Sequence, residues 1–151
     1  MKVLAYDPYV KELPEEFQSY VTLCGENEVI SGCDFLSLHL PLNDETRNMI
    51  SAPQLASMKA GAYVINAARG GIVNEKDLYE ALVSGHIAGA AMDVSEVEPM
   101  AEENPLRTLD NVIITPHIGM YSKEAIGAVS LICAQNVAAC AAGAELKFQV
   151  V

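Results

Sequence analysis

Three side chains able to move a proton or hold an anion stand just beyond apolar, strand-like runs. They are Arg69 in Ala68-Arg69-Gly70-Gly71, Glu98 in Glu96-Val97-Glu98-Pro99 and His117 in Pro116-His117-Ile118-Gly119. Imidazole exchanges a proton near neutral pH, a carboxylate accepts hydrogen bonds, and a guanidinium offers an anion a planar fork of donors. One acid, one base and one guanidinium form a set suited to acid–base chemistry beside an anion. Each also has a plainer reading. His117 could be a structural histidine behind a strand, and Arg69-Gly70-Gly71 a strand-to-helix turn. Glu96 competes with Glu98, and Asp7 before Pro8 could be only a turn residue.

What raises these residues above their plain readings is where the elements put them. Runs at Lys2–Tyr6, Tyr20–Leu23, Asp34–His39, Ala62–Ala67, Ile87–Val94 and Asn111–Thr115 read as strands, several apolar enough for burial on both faces. Helical patterns alternate with them. Asn74 caps Glu75–Ser84, with Asp77 near the first-turn amides and Gly85 as terminator, and a longer helix runs from a Ser122 cap to Gly143. Weaker helical patterns cover Pro14–Ser19, Glu26–Gly32 and Ala52–Met58, and Pro105–Leu109 suits a single turn. This alternation predicts an α/β fold on a parallel sheet, whose chemistry gathers in the loops leaving the carboxyl ends of the strands. Those loops carry Asp7, Arg69, Glu98 and His117.

Length and composition bound the rest. The 151 residues suffice for one domain, and 51% hydrophobic with 19% charged residues predicts a folded core. Nine Lys plus Arg against twenty Asp plus Glu leave a net charge of −11, which argues against nucleic acid and anionic membrane partners. Cys24, Cys33, Cys133 and Cys140 form no CxxC pair and have no His at zinc-ligand spacing, so they read as reduced core thiols, with no metal site. No signal peptide opens the chain, which points to the cytoplasm. Ala125–Ala144 lacks charge and is long enough to span a bilayer. Gln135, Asn136 and its many alanines favour a buried globular helix instead.

Three segments together carry a resemblance: Val64-Ile65-Asn66-Ala67-Ala68-Arg69-Gly70-Gly71, Met92-Asp93-Val94 through Glu98-Pro99, and Thr115-Pro116-His117-Ile118-Gly119. In this order and spacing they resemble the D-isomer-specific 2-hydroxyacid dehydrogenases, and Asp34–Pro41 and Glu45–Ile50 extend the likeness over essentially the whole chain. The resemblance implies a Rossmann-type, three-layer α/β/α parallel sheet. It also implies reversible hydride transfer between nicotinamide and carbon 2 of a 2-hydroxy or 2-keto acid. His117 would be the acid and base for the substrate oxygen, and Glu98, the glutamate before proline, would favour its imidazolium form. Arg69 would grip the substrate carboxylate and carbonyl, which a lysine would do less well.

Cofactor positions follow in the same way. Asp7 matches the acid that binds the adenosine ribose hydroxyls, which favours NAD over NADP because a 2′-phosphate would meet like charge. His39, Pro41 and Thr46 match the loop beside the adenosine half. Ala67, Ala68, Arg69 and Asp93, and also His117, Ile118, Gly119 and Met120, match the nicotinamide end, with Asp93 on the carboxamide. Two departures stand out. Ser95 occupies a place where the family often carries an aromatic residue. No GxGxxG appears, so relative to the family pattern the first strand, glycine-rich loop, first helix and substrate domain are expected to be absent. The strands flanking that gap would then close against each other, or a second chain would fill the edges, giving a homodimer or strand-swapped oligomer. A non-catalytic remnant serving as an interaction module is the alternative reading.

Overall fold

The computed structural model describes residues 1–146 and divides into two compact units, Met1–Pro116 and His117–Val151. The first unit holds six short strands, β1 (Val3–Ala5), β2 (Val21–Leu23), β3 (Phe35–Leu38), β4 (Ala62–Asn66), β5 (Ile87–Met92) and β6 (Val112–Ile114). Helices α1 (Glu26–Gly32), α2 (Ala52–Ser57) and α3 (Glu75–Val83) and a 3₁₀ turn at Pro105–Thr108 connect them. Every strand pair is parallel, so each connection within a sheet has to cross over; α2 lies in the β3–β4 connection, α3 in the β4–β5 connection and the 3₁₀ turn in the β5–β6 connection, whereas β1 and β2 are joined without a helix.

Helix α3 forms where the caps predict. The Asn74 side chain accepts from the Asp77 N–H at 3.0 Å, and Gly85, at φ 76°, takes the left-handed conformation that ends the helix. Leu78 and Leu82 then turn inward onto a core with Ile30 of α1, Leu55 of α2, Leu36 and Leu38 of β3, and Val64 of β4. Each such side chain contributes about 1.5–3 kcal/mol by leaving water. Strands β3 and β4 alternate buried and exposed residues, and Phe35 and Tyr63 stack on the exposed face with ring centroids 5.1 Å apart. The expectation of burial on both faces holds best for β5, where no residue is exposed.

Several expectations need correction. The six strands do not make one sheet: β1–β2 is a two-stranded sheet and β3-β4-β5-β6 a four-stranded one, with no ladder between them among the described residues. The predicted closing of the two flanking strands, β1 and β3, is therefore not found. Helix α1 lies against β1, close enough that a Cβ on Gly32 would meet the Leu4 Cδ1 at 3.0 Å. Residues 15–20 are turns rather than helix. The N–H groups of Phe17 and Gln18 donate three residues back to Pro14 and Glu15, and a segment this short gains too few bonds to propagate.

The second unit contains α4 (Lys123–Ala141), capped by the Ser122 hydroxyl, which accepts from Ala125 N–H at 3.0 Å. The helix was expected to be buried, but none of its residues is. Apolar side chains such as Val129, Leu131 and Val137 stay exposed, because an apolar helix is buried only where another surface meets it. By length and composition alone it could cross a membrane. All four cysteines are free, as expected, but Cys133 and Cys140 are exposed and Cys24 is only part-buried, so these three are not core thiols; Cys33, also part-buried, packs against the core.

Candidate active site

Strand β4 delivers Arg69 through a loop fixed from beneath. Asn66, the last residue of β4, has no solvent exposure. Its Oδ1 accepts from the Ala68 N–H at 3.1 Å, and its Nδ2 donates to the Arg69 carbonyl at 3.0 Å. Arg69 itself is exposed, and its Nη1 donates to the Ala68 carbonyl at 2.6 Å. Ala68 is buried and Ala67 exposed.

The loop after β5 lies directly against this one. A Cβ on Gly70 would fall 1.8 Å from the Ser95 carbonyl oxygen, so only glycine fits there. Ser95 is buried; its hydroxyl donates to the Val97 carbonyl at 2.8 Å, and its N–H donates to Glu98 Oε1 at 3.2 Å. Glu98 is exposed and joined to Pro99 by a cis peptide bond. Its rival, Glu96, is committed elsewhere: its Oε1 accepts from the Glu75 N–H at the start of α3, at 3.2 Å. Glu98, the glutamate expected from its place before proline to be the functional one, and Glu96 thus have different partners. The structure brings the Arg69 and Glu98 loops into one edge, formed by the strand ends of β4 and β5.

Asp93 stands between these elements and β6. Its N–H donates to the Asn66 carbonyl at 2.9 Å, and its Oδ1 accepts from the Thr115 hydroxyl at 2.5 Å. Asp7, beyond β1, is exposed, and its Oδ1 accepts from the Tyr9 N–H at 2.8 Å, which gives it the turn role as well. His39 is exposed and shares a 2.8 Å hydrogen bond between Nε2 and the Ser37 hydroxyl. Thr46 closes the loop of Pro41, with its hydroxyl donating to the Pro41 carbonyl at 2.8 Å and accepting from the Asn43 N–H at 2.8 Å.

His117 opens the second unit. Its φ of 55° puts a non-glycine residue in the left-handed region, a conformation that His tolerates better than most residues and that concentrates at functional positions. Ile118 and Met120 are exposed, and the turn they belong to is held by Tyr121 N–H donating to the Ile118 carbonyl at 2.8 Å.

Two residues had no role assigned from sequence. Asn66 and Thr115 both lie inside the motif segments; the available signal was a polar side chain ending an otherwise apolar strand. No cluster of His, Cys, Asp and Glu suited to a metal occurs among the described residues.

A parallel sheet with flanking helices and polar loops at its strand ends defines a Rossmann-like α/β nucleotide-binding fold. The comparisons agree. Residues 1–119 match the model for the D-isomer specific 2-hydroxyacid dehydrogenase, NAD binding domain. A D-3-phosphoglycerate dehydrogenase of Methanocaldococcus jannaschii is 44% identical over 137 residues, covering 91% of this chain and 26% of that protein. The crystal structure of D-lactate dehydrogenase with NAD+ from Lactobacillus jensenii superposes with a TM-score of 0.87 at 33% identity, over 99% of this chain and 48% of that one. The structure of a D-isomer specific 2-hydroxyacid dehydrogenase from Xanthobacter autotrophicus Py2 in complex with NADPH and MES does so at 0.82 and 34%, over 99% and 61%. The chain belongs to the D-isomer specific 2-hydroxyacid dehydrogenase family, through its NAD-binding domain. It spans about a quarter of the length of the curated phosphoglycerate dehydrogenase that it matches.

Proposed function

We propose that the chain carries the nucleotide-binding and catalytic portion of an NAD-dependent D-2-hydroxyacid dehydrogenase, acting on a small 2-hydroxy or 2-keto acid. The observation that supports this most directly is the shared strand-end edge, where the backbone of Gly70 presses on Ser95 and so ties the Arg69 loop to the loop of Glu98. Arg69, exposed above that edge, holds the substrate carboxylate and carbonyl through a planar fork and so fixes the face offered to hydride. His117 gives a proton to the substrate oxygen during reduction and takes it back during oxidation, and Glu98 is the carboxylate of the same catalytic set. The nicotinamide ring, when bound, supplies or accepts the hydride. Phosphoglycerate-like and hydroxypyruvate-like acids are the favoured substrates.

The residues present fit the two ends of a dinucleotide. Asp7, His39, Pro41 and Thr46 face the adenosine half in this reading, and Ala67, Ala68, Asp93, Ile118, Gly119 and Met120 the nicotinamide half. The chain has no GxGxxG to bind a pyrophosphate, so the isolated chain turns over weakly or not at all. The Asp7 carboxylate favours NAD over NADP, although one solved relative holds NADPH. The working form is a homodimer or strand-swapped oligomer in the cytoplasm. Titration of the purified chain with NADH, read by nicotinamide fluorescence or heat, tests the reading with His117→Ala and Asp7→Ala as controls. Saturable binding weakened by Asp7→Ala supports it; no binding up to millimolar NADH from a folded chain refutes it.

A further inference from the structure

Asn66 is a wholly buried polar side chain at the carboxyl end of β4, and both hydrogen bonds of its side chain go to the loop that bears Arg69. Side-chain Oδ1 accepts from Ala68 N–H at 3.1 Å, side-chain Nδ2 donates to the Arg69 carbonyl at 3.0 Å, and the backbone carbonyl accepts from Asp93 N–H at 2.9 Å. A buried amide costs stability unless it is paired, so its presence in an otherwise apolar strand calls for a reason. The geometry supplies one. Ala67, Ala68 and Arg69 leave the sheet as a turn whose peptide groups cannot join the β4 ladder, and Asn66 offers one acceptor and one donor in their place.

We propose that Asn66 is a positioning residue, whose buried amide sets the course of the Ala67–Arg69 loop and thereby the direction of the Arg69 guanidinium. The proposal rests on the dehydrogenase reading only where it refers to substrate. These three hydrogen bonds also couple two functions. One residue holds both the arginine loop of β4 and, through its carbonyl, the first residue of the β5 loop, Asp93. Gly70 completes the arrangement from the other side, because its contact with the Ser95 carbonyl leaves the Arg69 loop no room to shift toward β5. Arg69 is thereby held from below by an amide and from the side by a backbone.

Asn66→Asp tests this with almost no change of shape. The variant keeps an acceptor for Ala68 N–H, but a carboxylate cannot donate to the Arg69 carbonyl and instead faces it with negative charge. The chain has three arginines, Arg47, Arg69 and Arg107, so carbon-detected Nε–Cζ correlations, which do not depend on slow proton exchange, give one guanidinium signal for each. In Asn66→Asp at about pH 8 the Arg69 signal should move while those of Arg47 and Arg107 stay. Affinity for oxalate, an unreactive mimic of a 2-keto acid, should fall by about 10- to 100-fold relative to wild type. NADH affinity should change much less. Lowering the pH protonates the buried carboxyl, which can then donate to Arg69, and the ratio of variant to wild-type oxalate affinity should recover toward one.

An unchanged Arg69 signal in a folded Asn66→Asp chain overturns the proposal. Failure of the wild type to bind either oxalate or NADH counts against the dehydrogenase reading alone, since the arginine signal still decides the role of Asn66. Should Asn66→Asp not fold, hydrogen exchange of the wild type decides. An Ala68 amide protected as strongly as that of Val64 supports the proposal, and one exchanging as fast as exposed loop amides overturns it.

Discussion

Glu75 and Glu96 exchange hydrogen bonds: the Glu96 N–H donates to Glu75 Oε1 at 2.7 Å, and the Glu75 N–H donates to Glu96 Oε1 at 3.2 Å. The second Glu75 oxygen accepts from Asn104 Nδ2 at 2.6 Å. Two carboxylates thus fasten the start of α3, the loop carrying Glu98 and the segment before the 3₁₀ turn to one another. Acid side chains at the amino end of a helix also meet its unpaired amides and favourable dipole.

Glu75→Ala removes acceptors from two donors at once, and urea denaturation should show a loss of about 1–3 kcal/mol. Glu96→Ala removes one cap and should cost about 1 kcal/mol. Equal losses in the two variants would mean that the Asn104 bond contributes nothing.

The ring nitrogen Nε2 of His86 is enclosed without a hydrogen-bond partner among the described residues, although its position after Gly85 suggested only a helix-end histidine. An unpaired buried polar atom carries a desolvation penalty that an apolar side chain of similar size avoids. His86→Leu should therefore leave the chain as stable as before or about 1 kcal/mol more stable. A drop in Tm would show that the nitrogen has a partner in solution.

Burial pushes the Cys33 thiol up from its ordinary value, against smaller opposing effects of a backbone hydrogen bond and Lys59. A raised pKa leaves less thiolate at a given pH, and thiolate is the species that reacts. Under iodoacetamide at about pH 8, Cys133 and Cys140, both exposed, should be labelled first and Cys33 last. Raising the pH toward 10 should speed Cys33 more than the other two. Peptide mapping over time reads the order, and Cys33 labelling alongside Cys133 would contradict it.

If Asp7 selects against a 2′-phosphate, wild type should bind NADH about tenfold or more tightly than NADPH, and Asp7→Ala should narrow that ratio to a few-fold by removing like charge. Calorimetry on both nucleotides measures it. The same ratio in both chains would release Asp7 to its turn with Tyr9 alone.

How much of this was legible follows from the range of each interaction. The caps Asn74 and Ser122 and the turn glycine Gly85 act within a few residues, and the helices they bound appear where expected. The strands also lie where the apolar runs put them, shorter by a residue or two at their ends. What sequence could not give was pairing across distance. Nothing in Glu96-Val97-Glu98-Pro99 says that Glu96 turns to Glu75, twenty-one positions away, while Glu98 stays with Ser95. Asn66 was visible as a polar break in β4, but its partners depended on how the loop folds back. For α4, an apolar pattern reports a capacity for burial and not whether a surface is there to bury it.

The split of the sheet has a mechanical consequence. Residues before Ile30, which include both β1 and β2 and the Asp7 turn, contain no fully buried side chain, whereas the four-stranded sheet rests on a continuous core. Two paired three-residue strands are marginal by themselves, so this end opens at a small fraction of the free energy needed to open the Arg69–Glu98 end. A dinucleotide lying across both ends would act as a brace. Part of its binding free energy would go into stiffening the loose half, lowering its apparent affinity and leaving slowed amide exchange in the first 29 residues as its imprint.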